Sequence, residues 1–169
     1  MVMDNGNRAQ IIQLLSEQLL QKKSVMATAE SCTGGGIAQA LTAVAGSSLW
    51  FDSGFVTYSN QAKHRMLGVP EVVIAGHGAV SEPVVKAMVQ GAIAHSEASY
   101  AVAVSGVAGP GGGSVEKPVG TVWVAWGSGD QVDAVRFQFE GDRDAVREQT
   151  IDAALQGLLG FLSPTSFAP

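Results

Sequence analysis

The chain has 169 residues, of which 46% are hydrophobic and 15% are charged, and this length and composition predict one well-buried domain rather than two. Ten basic and fifteen acidic residues give a net charge of −5 without a basic stripe, which excludes an extended nucleic-acid-binding surface. The single cysteine excludes an internal disulfide, and the sequence has no Cys and His spacing that is typical of a metal site.

The distribution of apolar residues bears on location and domain organisation. Residues 1–8 are mostly polar and contain no apolar signal region, and no apolar run approaches the length of a membrane span. We therefore expect a cytoplasmic protein without a membrane partner. A single domain is expected over residues 1–163, followed by a flexible tail over residues 164–169.

Hydrophobic periodicity predicts helices that alternate with strands through most of the chain. The predicted elements of the first half are an amphipathic helix over 7–21, a short strand over 24–27, a helix over 37–45, a strand over 49–59, and a short helix that is capped by Asn60 and ends at Leu67. They are followed by an apolar segment over 71–75, a helix capped by Ser81, a buried strand over 100–105, a hairpin of 119–127 and 131–139, and a last helix capped by Asp142. This order predicts an α/β fold, a three-layer α/β/α sandwich whose mixed, mostly parallel sheet ends in an antiparallel hairpin.

The turn after the first predicted strand carries two possible nucleophiles, Ser31 and Cys32, and runs from Thr28 to Gly36. Its three consecutive glycines allow a ligand to approach the backbone closely. The unpaired N–H groups at the start of the next helix would stabilise an anion or a developing oxyanion. The alternative is a plain strand-to-helix turn in which Ser and Thr act as helix caps.

Lys63 falls in the first turn of the short helix that begins at Asn60. A helix N-terminus disfavours a cation, and burial would lower the pKa of this lysine further. A lysine with a lowered pKa can act as a general base. The alternative is a solvated surface lysine beside His64 and Arg65.

A second glycine-rich loop, residues 106–114, follows the buried strand. It matches neither the Walker A pattern nor the dinucleotide-binding fingerprint. We expect a ligand-facing lid rather than a plain connector, because loops positioned by a rigid sheet often carry function. Ligands in such sheets bind at the carboxyl ends of parallel strands, so Ser31, residues 58–63 and this loop are expected to meet at one crevice.

Five segments, in this order and over nearly the whole chain, resemble the CinA C-terminal family. They are Ala29-Glu30-Ser31-Cys32-Thr33-Gly34-Gly35, Tyr58-Ser59-Asn60 with Lys63, Gly78-Ala79-Val80-Ser81, Ser105-Gly106-Val107-Ala108-Gly109-Pro110 and Lys117-Pro118-Val119-Gly120-Thr121-Val122. Members of that family are nicotinamide-nucleotide amidases with a three-layer α/β/α fold. The resemblance implies hydrolysis of nicotinamide mononucleotide (NMN) to nicotinic acid mononucleotide and ammonia, in pyridine nucleotide (NAD) recycling, without a metal or organic cofactor.

The resemblance also implies roles for individual residues. Ser31 would be the nucleophile, Lys63 the general base and Tyr58 a helper in proton transfer, so that an acyl-enzyme forms on the serine. Substrate-binding roles are expected for Glu30, Thr33, Gly34, Gly35, Gly36, Ser105, Gly106, Gly109, Gly111 and Arg143. Whether the amides of residues 33–36 hold the oxyanion or the phosphate stays open, and Arg143 is a weaker candidate for the phosphate. The family implies a homo-oligomer such as a dimer, and we expect exposed aromatic side chains near Trp50 and Phe51 to serve an interface.

The sequence leaves open three alternatives to a catalytic Ser31–Lys63 pair. Cys32 could be the nucleophile, since a helix N-terminus would lower its pKa. A Ser-His-Asp triad could use His77, the only histidine predicted to lie in a loop. Finally, the chain could be a non-catalytic nucleotide-binding module, which ammonia release from the nucleotide would distinguish from an enzyme.

The sequence also generates a prediction about metals, because it has no ligand cluster with metal spacing. Ammonia release from NMN should proceed at an unchanged rate after prolonged chelation and removal of the chelator. A loss of rate that added zinc or magnesium restores would contradict this prediction.

Overall fold

The computed structural model describes residues 5–163, so the predicted tail at 164–169 lies outside the described residues. Its helices and strands, in chain order, are α1 (Asn5–Gln21), β1 (Met26–Glu30), α2 (Gly36–Thr42), a 3₁₀ turn (Ser47–Leu49), β2 (Phe51–Val56), α3 (Asn60–Leu67), α4 (Glu71–His77), α5 (Glu82–Ala94), β3 (Tyr100–Gly106), β4 (Thr121–Gly127), β5 (Val132–Gln138) and α6 (Arg143–Leu162).

The five strands form one mixed sheet in the order β2-β1-β3-β4-β5. β1 pairs in parallel with both β2 and β3, while the β3–β4 and β4–β5 pairs are antiparallel. Within this sheet, β4 is therefore the only strand that is antiparallel to the others. The predicted mixed sheet and closing hairpin are confirmed, with two parallel and two antiparallel pairs.

Helices cover both faces of the sheet and create two hydrophobic cores. One core joins the sheet to α1, α2 and α6, and the other joins it to α3, α4 and α5. The strands alternate accordingly: Met26 and Val102 face the first core, whereas Ala27 and Ala101 face the second. The predicted three-layer α/β/α sandwich is confirmed.

Close packing of α5 against α3 sets the position of the short α3 helix. A Cβ atom built on Gly91 of α5 would lie 2.0 Å from the Leu67 carbonyl oxygen, far inside van der Waals contact. Only glycine at this position lets the two helices approach so closely. Leu67 itself is 2% exposed, so the end of α3 is anchored in the core.

Several predicted boundaries differ from the structure for identifiable reasons. The strand predicted over 24–27 is β1 (Met26–Glu30), because residues 28–30 pair with β2 and β3 instead of forming the start of the turn. The strand predicted over 49–59 spans only Phe51–Val56, because a 3₁₀ turn precedes it. Residues 71–75 belong to the helix α4, whose N-cap is Pro70. The cap of α3 is Ser59, whose hydroxyl accepts from the Ala62 amide, and Asn60 is already helical. The prediction of an exposed Trp50 is wrong, since this side chain is 2% exposed within the core.

The carboxyl ends of β1, β2 and β3 lie level at one edge of the sheet, since Glu30 is in register with both Val56 and Val104. The turn containing Ser31, the segment leading to α3 and the second glycine-rich loop all follow these ends directly. The expected convergence of the three segments is therefore observed. Within residues 5–163, no helix combines the length and the apolarity that crossing a membrane would require.

Candidate active site

The alternation of β1 sends Glu30 and Ser31 to opposite sides of the sheet. Ala27 and Ala29 point towards the core of α3, α4 and α5, and Ser31 continues that parity just beyond the strand. Glu30 points instead towards the start of α2. The serine therefore lies on the side of the sheet that carries Lys63.

A hydrogen bond joins Ser31 to Lys63 across the end of the sheet. The distance from Lys63 Nζ to Ser31 Oγ is 2.9 Å, and the same amine donates to the Thr57 carbonyl oxygen at 2.9 Å. Lys63 is 1% exposed and Ser31 is 8% exposed. The alternative of a solvated surface lysine is therefore wrong. Such an arrangement can supply the nucleophile, base and orienting acceptor that covalent catalysis needs.

Burial lowers the pKa of Lys63 below the ordinary value of a lysine. The direction agrees with the sequence prediction, although burial is the dominant cause. Lys63 is the fourth residue after the Ser59 cap, and its side chain extends from α3 to the carbonyl oxygen of Thr57. A lower pKa increases the fraction of neutral amine at a given pH, and only the neutral amine can accept the serine proton.

The neighbouring Cys32 is a poor alternative nucleophile. Its side chain is buried, and burial raises the pKa of the thiol to about 12. The expectation that the helix N-terminus would lower this pKa is wrong. At neutral pH the thiol stays protonated, whereas the thiolate is the reactive form.

Glu30 occupies the N-terminus of α2 with its own carboxylate. The carboxylate accepts from the amides of Ile37 and Ala38 at 2.8 and 3.0 Å and from the Thr33 hydroxyl at 2.5 Å. Glu30 is fully buried, so these bonds replace the water that a carboxylate requires. The sequence predicted that the N-terminus of α2 could bind a phosphate or an oxyanion, but its amides bind the Glu30 carboxylate instead.

The turn between Ser31 and α2 is fixed by its backbone. The Gly34 amide donates to the Ser31 carbonyl oxygen, and the Gly36 amide donates to the Thr33 carbonyl oxygen. Gly34 and Gly35 adopt φ values of 59° and 101°, in the left-handed region that favours glycine. Five predicted substrate-binding residues, Glu30, Thr33, Gly34, Gly35 and Gly36, therefore build this turn and lie outside the cleft lining described next.

A cleft of about 320 Å³ opens above Ser31, within the size range of small-molecule sites. Eight of the predicted site residues line it: Ser31, Tyr58, Lys63, Ser105, Gly106, Gly109, Gly111 and Arg143. The site prediction did not include the other lining residues, which are Cys32, Asn60, Ala79, Val80, Val107, Ala108 and Gly112. Ala79 and Val80 belong to one of the five segments that resemble the family, and this resemblance could have identified them as site residues.

Arg143 bridges two walls of the cleft. Its Nη1 donates to the Gly109 carbonyl oxygen at 2.8 Å, and its Nη2 donates to the Tyr58 hydroxyl at 2.8 Å. Both acceptors are neutral, and in the described part of the chain no carboxylate lies within ion-pair distance of this guanidinium. Tyr58 is 60% exposed and contacts Arg143 through its hydroxyl, so its place is at the mouth of the cleft.

His77, the alternative general base, lies at the end of α4 and is not among the cleft-lining residues. Its backbone carbonyl oxygen accepts from Lys117 Nζ at 2.8 Å. The position next to Ser31 is occupied by Lys63. Residues 5–163 contain no group of three or more His, Cys, Asp or Glu side chains arranged to hold a metal ion.

Comparisons with known proteins show what this chain is similar to. The CinA C-terminal domain profile matches residues 8–162. Nicotinamide-nucleotide amidohydrolase PncC from Pseudomonas putida is 63% identical over 145 residues, which are 86% of this chain and 91% of that protein. The protein of the same name from Escherichia coli K12 is 51% identical over 157 residues, 92% of this chain and 95% of that one. The crystal structure of the competence/damage inducible protein CihA from Agrobacterium tumefaciens superposes with a TM-score of 0.91 at 41% identity, and the match covers 96% of this chain and all of that one.

The role of Glu30 leads to a stability prediction. Glu30→Gln should lower the free energy of unfolding by about 1–3 kcal/mol, because the amide NH₂ would face backbone donors in a buried site. The matched control is Glu17→Gln, which changes the same atoms at an exposed position of α1 and should stay within about 0.5 kcal/mol of the wild type. Denaturant titrations measure both changes. Equal stabilities for the two variants would show that the Glu30 carboxylate does not hold this helix end.

Proposed function

Since the chain belongs to the CinA C-terminal domain family, we propose that it is a nicotinamide-nucleotide amidohydrolase that converts NMN to nicotinic acid mononucleotide and ammonia through an acyl-enzyme on Ser31. The relatives that carry this name match over most of their length. The observation that carries the chemical part of the proposal is the 2.9 Å contact between Lys63 Nζ and Ser31 Oγ at the floor of the cleft.

The first half of the reaction forms the acyl-enzyme. Neutral Lys63 accepts the hydroxyl proton of Ser31 while Oγ bonds to the carboxamide carbon, and the C=O π electrons move to the carbonyl oxygen. The tetrahedral intermediate then collapses as the C=O bond reforms and the C–N bond breaks. Protonated Lys63 returns its proton to the departing nitrogen, which leaves as ammonia.

The second half regenerates the enzyme. A water molecule attacks the acyl carbon, and Lys63 accepts its proton. Collapse of the second intermediate breaks the bond to Ser31 Oγ, which recovers its proton from Lys63. The balance is one amide and one water converted to one carboxylic acid and one ammonia.

The Thr57 carbonyl oxygen orients the base. A neutral amine has two N–H groups and one lone pair. When one N–H donates to Thr57 at 2.9 Å, the lone pair is free to accept from the Ser31 hydroxyl. The backbone at the end of β2 thus plays the part of the third group in a catalytic triad.

Arg143 is the best-supported ligand for the substrate phosphate. It lines the cleft and carries a charge that no carboxylate neutralises within the described residues. A guanidinium forms strong bidentate bonds with phosphate. The competing candidate, the N-terminus of α2, already binds the Glu30 carboxylate. Tyr58 is proposed to hold Arg143 in position rather than to relay a proton.

The decisive test of the function is a mutant pair assayed for ammonia and nicotinic acid mononucleotide. Wild-type protein should convert NMN, Ser31→Ala should lower kcat by at least about 10³-fold, and Cys32→Ala should keep most of the activity. The last expectation follows because the buried thiol stays protonated. A wild-type protein that binds NMN without turnover would favour the binding-module alternative, and a loss confined to Cys32→Ala would reverse the assignment of the nucleophile.

Lys63 gives a separate prediction about pH. Because Lys63 must be neutral and burial lowers its pKa, the kcat/KM of the wild type should rise with pH through that lowered pKa. Lys63→Arg should be nearly as inactive as Lys63→Ala, since a guanidinium stays protonated and cannot accept the serine proton. Kinetics across pH 5–10 measure the profile, and calorimetry should show that both variants still bind NMN. An active Arg variant, or an Ala variant that loses only affinity, would contradict the role.

A further inference from the structure

Ser105 lines the cleft with a hydroxyl that no group within residues 5–163 satisfies. The residue is 1% exposed, and its hydroxyl has no hydrogen-bond partner within residues 5–163. Two other buried hydroxyls have partners: Thr121 bonds to Pro118 and Thr150 bonds to Val146. Buried polar groups are normally paired, so an unpaired one that lines a cleft points to a ligand. The hydroxyls of Thr28 and Thr57 are unpaired and fully enclosed, and neither residue lines the cleft, whereas Ser105 does.

The position of Ser105 places it beside the nucleophile. β1 and β3 are neighbours in parallel, with Glu30 in register with Val104, and the Ser31 amide donates to the Val104 carbonyl oxygen. Ser31 directly follows Glu30, and Ser105 directly follows Val104, so the two serines are neighbours across β1 and β3. Ala101 and Ala103 face the core of α3, α4 and α5, so Ser105 points to the same side of the sheet as Ser31.

Lys63 does not engage this second hydroxyl. Its amine is held by Ser31 and by the Thr57 carbonyl oxygen. Ser105 is therefore a neutral donor next to the nucleophile and independent of the base. A donor that does not serve the base can bond to a carbonyl oxygen, and a carbonyl oxygen that gains charge during attack needs a donor that is already in place.

A second donor of this kind is the backbone amide of Cys32. Cys32 lines the cleft and follows the nucleophile directly in the chain, and among residues 5–163 its N–H donates to no backbone carbonyl oxygen of another residue. The amides at the start of α2 are not available, since Ile37 and Ala38 donate to Glu30. The amide of the residue after a nucleophile is a common oxyanion donor in serine hydrolases.

We infer that the Ser105 hydroxyl, together with the Cys32 amide, donates to the carboxamide oxygen of the substrate and is a catalytic residue. The inference rests on the proposed function. As Ser31 Oγ bonds to the carboxamide carbon, the C=O π pair moves to the oxygen, and the bond from Ser105 strengthens. When the C=O bond reforms and the C–N bond breaks, that bond weakens again. Ser105 keeps its own proton throughout.

Three variants test the role through kcat and KM for NMN. Ser105→Ala should lower kcat by about 10²-fold or more and change KM by only a few fold, as expected for a donor that acts in the transition state. Ser105→Thr retains a hydroxyl and should recover most of the rate. The matched control is Ser47→Ala, which removes the same atom from a serine that is 8% exposed. Ser47 lies in the 3₁₀ turn before β2, at the amino end of this strand, whereas the cleft lies at the carboxyl ends of the strands. It should leave kcat unchanged, and thermal melts should show that all three variants fold.

A sulfur substitution separates contact with the carboxamide oxygen from an indirect effect. Sulfur is a weaker hydrogen-bond acceptor than oxygen, so the wild type should turn over NMN faster than its thioamide analogue by a large ratio. In Ser105→Ala the same ratio should be smaller by about tenfold or more, because the lost donor no longer favours oxygen. A structural defect would slow both substrates equally and leave the ratio unchanged.

The outcomes distinguish this inference from the function on which it rests. A wild-type protein that releases no ammonia from NMN overturns the proposed function and the inference with it. An active wild type together with a Ser105→Ala variant of normal kcat overturns the inference alone. An unchanged oxygen-to-sulfur ratio in a slow Ser105→Ala variant, or a slow Ser105→Thr variant with a normal melt, also overturns it.

Discussion

The removal of the Lys63 amine from water is the constraint on which the rest of the site depends. Burying an ammonium ion is costly, whereas a neutral amine with two hydrogen-bond partners can be accommodated. The protein supplies these partners from different elements, since Ser31 follows β1 and Thr57 follows β2. α3 holds the lysine at this depth because its start is capped by Ser59 and its end packs closely against Gly91 of α5. Burial therefore produces the lowered pKa of Lys63 and orients its lone pair at the same time.

Because side chains alternate along a strand, Glu30 and Ser31 at the end of β1 point to opposite sides of the sheet. Glu30 turns to one side and closes the N-terminus of α2, while Ser31 turns to the other side and faces the cleft. The carboxylate thereby holds the turn that carries Ser31. It also prevents that helix end from binding a second anion, so positive charge for an anionic ligand has to come from elsewhere.

Arg143 brings positive charge to the cleft of a protein whose net charge of −5 disfavours anions. It is the first residue of α6 and reaches across the mouth of the cleft to Gly109 and Tyr58. One arginine therefore links the glycine-rich loop after β3 to the segment after β2. The same link fixes the position of its charge at the cleft.

The sequence by itself determined the layers of the fold and the identity of the Ser31–Lys63 pair, because hydrophobic periodicity and the family segments are properties of the chain alone. Strand and helix order followed from that periodicity, although Ser59 and not Asn60 caps α3, since the choice between adjacent polar residues depends on backbone angles. The tertiary structure decided which groups remain available to a ligand. A glycine-rich turn before a helix looks the same in sequence whether the helix end is open or filled, and only the direction of the Glu30 side chain shows that it is filled. Likewise, neither the burial that lowers the pKa of Lys63 nor the unpaired hydroxyl of Ser105 is visible before distant elements pack together, because solvation and hydrogen bonding depend on neighbours in space.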